Sequence, residues 1–280
     1  MNGSPRRPVE AARLSGAFLV LSLAFASVMG WALYDELIVR RPWKAIRKDF
    51  SKLAVARGLD PVPVEIEQVH NPKLGIVDRC TTCHVAIDEP GFESDDVPQP
   101  FRTHPRRALL LGANHPPREF GCTICHHGQG PQTKGVAHSS FDHGLDDPFW
   151  EAPLLRGDLV QSTCMTCHPV VDQLEGAEVL ARGKELFEEL RCYGCHETSH
   201  FETSRPGGPP LAGTRQKMSF EFLVAWIRAP HEIRPHTRMP DYWPEPVTVD
   251  GAPSPAGSPA RAAWQAARDR EPRAIAAFLG

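Results

Sequence analysis

Cys80-Thr-Thr-Cys83-His84, Cys122-Thr-Ile-Cys125-His126, Cys164-Met-Thr-Cys167-His168 and Cys192-Tyr-Gly-Cys195-His196 write one five-residue phrase four times. C-x-x-C-H is the attachment signature of c-type haem: each thiol adds across a vinyl group, and the adjoining histidine is left beneath the ring as the proximal iron ligand. Two thioethers spaced this way hold the ring against one turn of chain and aim the histidine at iron. The competing readings are zinc, bound by two Cys-x-x-Cys pairs to a metal, and a redox dithiol. All 8 cysteines lie in these pairs, and histidine is only 13 of 280 residues. A histidine after every pair by chance is then on the order of one in 10⁵. The set predicts four haem c groups, held covalently by Cys80, Cys83, Cys122, Cys125, Cys164, Cys167, Cys192 and Cys195, with His84, His126, His168 and His196 as proximal ligands.

Aromatic content is 8%, against 28 Pro and 22 Gly. Such a chain builds little regular core of its own, and porphyrins would supply the missing apolar volume. A net charge of −3 with interspersed signs argues against nucleic acid as a partner. Haem is attached to c-type apoproteins outside the cytoplasm, so the globular part belongs in the periplasm or its equivalent.

Between Leu14 and Tyr34 no side chain is charged, and as helix that run spans roughly 30 Å, the thickness of the hydrocarbon layer. It predicts one transmembrane helix. A cleaved signal peptide is the alternative, with Arg6, Arg7 and Arg13 as its basic start and Ala24-Phe25-Ala26 as its cleavage site, but the apolar run continues through Trp31 and Leu33 and is too long for one. Arg40, Arg41, Lys44, Arg47 and Lys48 crowd the far end against a simple positive-inside count. Haem chemistry overrides that count and places the amino terminus inside. The expected location is the bacterial inner membrane, single-pass, with the haems on the periplasmic side.

After the anchor, Pro42 suits a first helical turn, and Trp43, Ile46, Phe50 and Leu53 recur at helical steps before Gly58. This amphipathic helix has three readings: a basic face on anionic headgroups of membrane lipid, a docking face for another subunit, or a merely solvated face. Leu59 to Val64, with Pro61 and Pro63, reads as an extended linker. The next stretch carries three haem motifs at equal spacing and few secondary-structure cues. Val97 to Pro105 and Asn114 to Pro117 are Pro-punctuated loops, where a histidine is held by stiff backbone, as a distal iron ligand requires. Outside the motifs stand His70, His104, His115, His127, His138, His143, His200, His231 and His236. His104, His115 and His138 are the preferred distal ligands, followed by His143 and His70; His127 adjoins a motif histidine and cannot turn back to the same iron, though it could serve another.

The run Tyr34-Asp-Glu-Leu-Ile-Val-Arg-Arg-Pro-Trp-Lys44, then Asp78-Arg-Cys-Thr-Thr-Cys-His84, Pro100-Phe-Arg-Thr-His-Pro105 and Phe120-Gly-Cys-Thr-Ile-Cys-His-His-Gly-Gln-Gly130, resembles a family of membrane-anchored multihaem cytochromes c that accompany a cytochrome b in bacterial bc-like, quinol-oxidising complexes. The resemblance implies cytochrome b-type membrane subunits as electron source, and a soluble cytochrome c or other periplasmic acceptor. It also sets His104, His115 and His138 in the family's His-Pro and Ala-His contexts. From Gly183 the text Lys-Glu-Leu-Phe187-Glu-Glu-Leu-Arg-Cys192 reads as a helix running into the fourth motif, followed by Gly208-Pro-Pro-Leu211, Arg238-Met239-Pro240 and a helical Ala260 to Leu279. This order is similar to a single-haem class I cytochrome c. That likeness implies crossed first and last helices and Met239 as distal ligand. Met218 is the rival sulfur, and a carbonyl near Pro209 or Pro210 is a candidate to set the His196 tautomer.

The expected fold is mostly α with extensive irregular loops: a tail and transmembrane anchor helix over 1–39, a juxtamembrane helix and linker over 40–69, a trihaem region over 70–175 and an all-α class I cytochrome c domain over 176–280. No Ser-His-Asp arrangement, phosphate loop or paired carboxylates present themselves, so the expectation is an electron-transfer subunit rather than an enzyme in its own right. Two alternatives stay open. One is a NapC-type membrane quinol dehydrogenase, which places its first motif almost against the membrane, unlike Cys80 here. The other is a tetrahaem donor to a photosynthetic reaction centre, which needs more methionine ligands than Met165, Met218 and Met239 supply.

Overall fold

The computed structural model describes residues 8–112, 115–134, 154–198, 201 and 207–280. Without a charge to interrupt it, the first apolar run forms α1 (Pro8–Tyr34), 27 residues long. Every residue from Leu14 to Tyr34 is exposed, Phe18 at 74% and Trp31 at 71%. α1 is long and apolar enough to cross a membrane. Of the three serines of α1, Ser27 donates its hydroxyl back to the Leu23 carbonyl at 2.8 Å, which meets that donor within the helix.

A single wide turn over Asp35–Val39 leads to α2 (Pro42–Ala56), opened by its proline. The stop is chemical: Gly58 takes φ 78°, and the amides of Gly58 and Leu59 return to Val55 and Ala54, each at 3.0 Å. Trp43, Arg47, Phe50 and Ala54 form the buried face of α2. The apolar face thus packs on its own chain, and Arg47 is buried with it, while Lys48 on the basic face stays exposed. Phe50 meets Phe92 at 5.3 Å and Phe101 at 5.4 Å between ring centres, in a small core with Val85, Ala86 and Val97. Burying each such ring contributes about 1.5–3 kcal/mol. Arg47 is fully buried with them and is satisfied there, donating to Glu67 at 2.8 Å, the Pro63 carbonyl at 2.7 Å and the Thr82 carbonyl at 3.4 Å.

Two three-residue strands, β1 (Val69–Asn71) and β2 (Ile76–Asp78), pair antiparallel with His70 opposite Val77. β2 delivers the chain into the first motif. Short helices follow: α3 (Arg107–Gly112), α4 (Pro117–Phe120) and α5 (Thr123–His126). Polar ties hold this stretch more than apolar packing does: Thr82 Oγ1 bridges both backbone groups of Glu67, at 3.1 and 2.9 Å, and Arg107 donates to the Asp88 carbonyl at 2.6 Å.

The last third is built from α6 (Glu178–Glu189), a turn α7 (Thr214–Lys217), α8 (Phe220–Arg228), a turn α9 (Pro230–Ile233) and α10 (Pro259–Phe278). Ser219 and Ser258 cap α8 and α10, accepting from Phe222 and Arg261 amides at 3.2 and 3.3 Å. Leu180, Leu186, Phe187, Leu223, Val224, Ile227, Ile275 and Phe278 share one core, against which Cys164 and Met165 of the third motif also pack. Gln161, just before that motif, accepts the Val179 and Leu180 amides at 2.8 and 3.1 Å and so caps α6 from outside. α6 and α10 cross where Gly183 has no side chain: a Cβ there would lie 2.0 Å from the Ala274 carbonyl oxygen. Neither backbone can yield cheaply, so Gly183→Ala is expected to lower stability by about 1–3 kcal/mol or more. Urea unfolding of the full chain in detergent, followed by helical circular dichroism, measures it, and an unchanged midpoint contradicts the crossing.

Candidate functional site

All four C-x-x-C-H segments adopt the same turn. The histidine amide donates to the first cysteine's carbonyl at 2.9 Å in every copy, and the second cysteine's amide reaches the same carbonyl at 3.1 Å in the first motif and 3.2 Å in the other three. One helical turn places positions i, i+3 and i+4 on one face. Both thiols and the imidazole therefore face the same side, which is what attaching one flat group and ligating its centre demand.

Two of the four imidazoles are set by carbonyls. His126 Nδ1 lies 3.1 Å from the Leu155 carbonyl, and His196 Nδ1 2.8 Å from that of Pro209. A carbonyl only accepts, so each Nδ1 carries the proton and each Nε2 keeps its lone pair for a metal. Leu155 is held twice, since its amide also donates to the His126 carbonyl at 2.7 Å. The chain passes over the His196 ring at Gly208, where an added Cβ would sit 2.5 Å from Cε1.

Two of the favoured distal histidines come to stand against motif histidines. The His104 and His126 ring centres are 6.0 Å apart with planes at 73°, and those of His115 and His168 are 6.0 Å apart at 70°. A metal–imidazole bond of about 2.0 Å plus about 1.1 Å from nitrogen to ring centre, taken on both sides, separates two trans ligands by about 6 Å. Burial, helped by the nearby His126, lowers the pKa of His104 to about 4, which keeps the ring neutral as ligation requires. His104 Nδ1 accepts the Arg106 amide at 3.1 Å, so its proton rests on Nε2, and binding a metal there requires that proton to move to Nδ1 as the Arg106 amide lets go. His138 and His143 lie outside the described residues. His70 sits exposed on β1. His127 takes φ 54°, a left-handed turn that carries the chain away from His126.

Cys80, Cys83, Cys125, Cys164 and Cys192 are shifted the opposite way from the attacking sulfur of a redox dithiol, whose pKa is lowered. Burial is the first cause raising Cys83 and Cys164, and it pushes Cys125 and Cys192 up to about 11. Tyr242 donates to Cys192. The Cys80 thiol is hydrogen-bonded to Cys122, which is the main cause raising it. Among the described residues the one candidate metal cluster is Asp78, Cys80 and Cys122, so the pairs do not converge into a four-thiolate zinc site. Asp78 is moreover committed elsewhere: Oδ1 accepts the Cys80 amide at 2.9 Å, and Oδ2 accepts those of Cys122 and Thr123, both at 2.8 Å. The second and third motifs are also close: the Cys125 thiol is hydrogen-bonded to Thr163, which precedes Cys164. Met239 is half-buried and packs on the C-terminal core, whereas Met218 is exposed.

Sequence reasoning missed Asp78, Leu155 and Tyr242. Nothing in the spacing signals them, since each acts across a fold-dependent gap. No family model, curated protein or solved structure matches the chain.

The Gly208 contact is testable. Gly208→Ala should push the His196 ring off the Pro209 carbonyl and abolish exchange protection of its Nδ1 proton in ¹H–¹⁵N spectra. Gly207→Ala, whose added Cβ would meet only Cys195 Sγ at 3.6 Å, should preserve it.

Proposed function

We propose that the chain is a membrane-anchored electron-transfer subunit with four covalently attached haems c. What carries the reading is the pairing of a motif histidine with a Pro-loop histidine at one metal-spanning distance, twice over, beside thiols on the same face of the turn. When bound, each haem supplies a reversible one-electron couple. The chain's own residues do the rest. The eight cysteines tether, His126 and His196 are oriented by the Leu155 and Pro209 carbonyls, and His104 and His115 close the second and third sites. With His104, His115 and Met239 as second ligands, the second, third and fourth irons would keep no open position for a substrate, which favours transfer over turnover. Met239, a weaker donor to ferric iron than imidazole, makes the fourth site the highest in potential and the exit.

The proximity of Cys80 to Cys122 and of Cys125 to Cys164 supports an order in which the second site lies between the first and third. Electrons then run along a short row before reaching the C-terminal domain, whose core touches the third motif. With α1 as anchor in the bacterial inner membrane and the motifs on the periplasmic side, the source is a quinol-oxidising, cytochrome b-type partner. The acceptor is a soluble periplasmic cytochrome c or its equivalent.

Intact mass after denaturation should exceed the polypeptide by four haems, and a gain of two or fewer ends the reading. His104→Ala and His115→Ala should each convert one low-spin iron to high spin, and the double variant two, by electron paramagnetic resonance. Met239→His should lower the highest midpoint in a redox titration and leave the others alone. The purified chain, once reduced, should reduce a soluble cytochrome c yet fail to oxidise quinol unaided; inhibitor-sensitive quinol oxidation would instead favour a dehydrogenase.

A further inference from the structure

We propose that Asp78 joins the first and second haem sites into one unit and holds the midpoint potentials of both down. The inference rests on the four-haem reading above and goes beyond it. Asp78 ends β2 and is 1% exposed. Its two oxygens accept three amides, from Cys80 at 2.9 Å and from Cys122 and Thr123 at 2.8 Å. These belong to the first residues of two different motifs, so a single carboxylate sets both turns. The chain comes this close because residue 121 is glycine: a Cβ there would lie 3.0 Å from the Asp78 Cβ and 3.1 Å from Oδ2. A carboxylate oxygen and the sulfurs of Cys80 and Cys122 all lie within 4.8 Å of one another.

Those sulfurs are the atoms that become thioethers on the two ring edges. The carboxylate therefore stands beside both macrocycles. No ion pair to Asp78 exists among the described residues, so the three amide dipoles solvate a charge that no cation cancels. A ferric site carries one positive charge more than a ferrous one. A buried negative charge within a few ångströms, poorly screened by solvent and salt, favours the ferric state of both sites and lowers both potentials. Only an electron moves in this scheme. Low potentials at the first two sites and a high one at the Met239 site point the row from the anchor side toward the C-terminal domain.

The test compares Asp78→Asn with Asp78→Glu in the full chain. Asn keeps the shape and removes the charge; Glu keeps the charge one methylene further out. Haem mass is counted first, and a wild type with fewer than four haems sinks the four-haem reading itself, separately from this proposal. With four haems in place, Asn should raise two of the four midpoints and leave two unmoved, and Glu should return both close to wild type. The proposal is overturned if Asn moves no midpoint, if it moves all four together, or if Glu shifts them as Asn does. Loss of haem from the Asn variant also overturns it, by reducing Asp78 to a folding clasp.

Discussion

The amide of each motif histidine donates to the carbonyl of the first cysteine four residues before it, and the bond measures 2.9 Å in all four copies. This one turn is the constraint on which the arrangement depends. It puts two sulfurs and one imidazole on a common face at every motif, irrespective of what surrounds it. The surroundings do differ: the first turn follows β2, the second is α5, the third closes a 3₁₀ stretch over Gly157–Thr166, and the fourth follows α6. A bond that recurs across four unlike settings is a property of the motif, and the rest of the fold is free to vary around it.

In the middle third, positioning is largely polar. Arg47, Thr82 and Asp78 are all buried and all bonded to backbone from distant segments. Each buried polar group that loses its partner costs about 1–3 kcal/mol, so these ties are restrictive even though the apolar cluster around Phe50, Phe92 and Phe101 is small. Segments with so little regular structure can then hold histidines at defined distances. The stiffness comes from Pro105, Pro116 and Pro117 beside His104 and His115, which limit the backbone, and from the arginines that close the loops. Arg102, for example, donates to Asp95 at 2.9 Å and to the Val97 carbonyl at 2.6 Å.

The C-terminal third works by the opposite rule. It has a continuous apolar core, capped helices and a close crossing at Gly183. Its contact with the third motif, through Cys164, Met165 and the cap from Gln161, ties the two halves together. Burial of Trp243 beside Tyr242, with the Trp243 indole N–H donating to Glu271 of α10 at 2.8 Å, anchors the segment that follows Met239.

Local chemistry was legible without the fold. The four motifs, the uncharged run of α1, the proline and glycine that bound α2, and α10 to within a residue at each end are all signals carried by neighbouring residues and short periods. The carbonyl beside His196 was narrowed to Pro209 or Pro210, and the fold chose Pro209. Which histidine faces which was not legible: His104 stands against His126 of the next motif, whereas His115, from the same interval, passes over that motif to stand against His168, a choice no spacing encodes. Nor was the destination of the α2 face, because an amphipathic helix reads the same whether it meets lipid, a partner or its own chain. Asp78 stayed hidden for the same reason. Its bond to Cys80 is local, but its bonds to Cys122 and Thr123 exist only because Gly121 lets distant backbone come within reach, and long-range approach is set by the summed packing of the chain and by no residue alone.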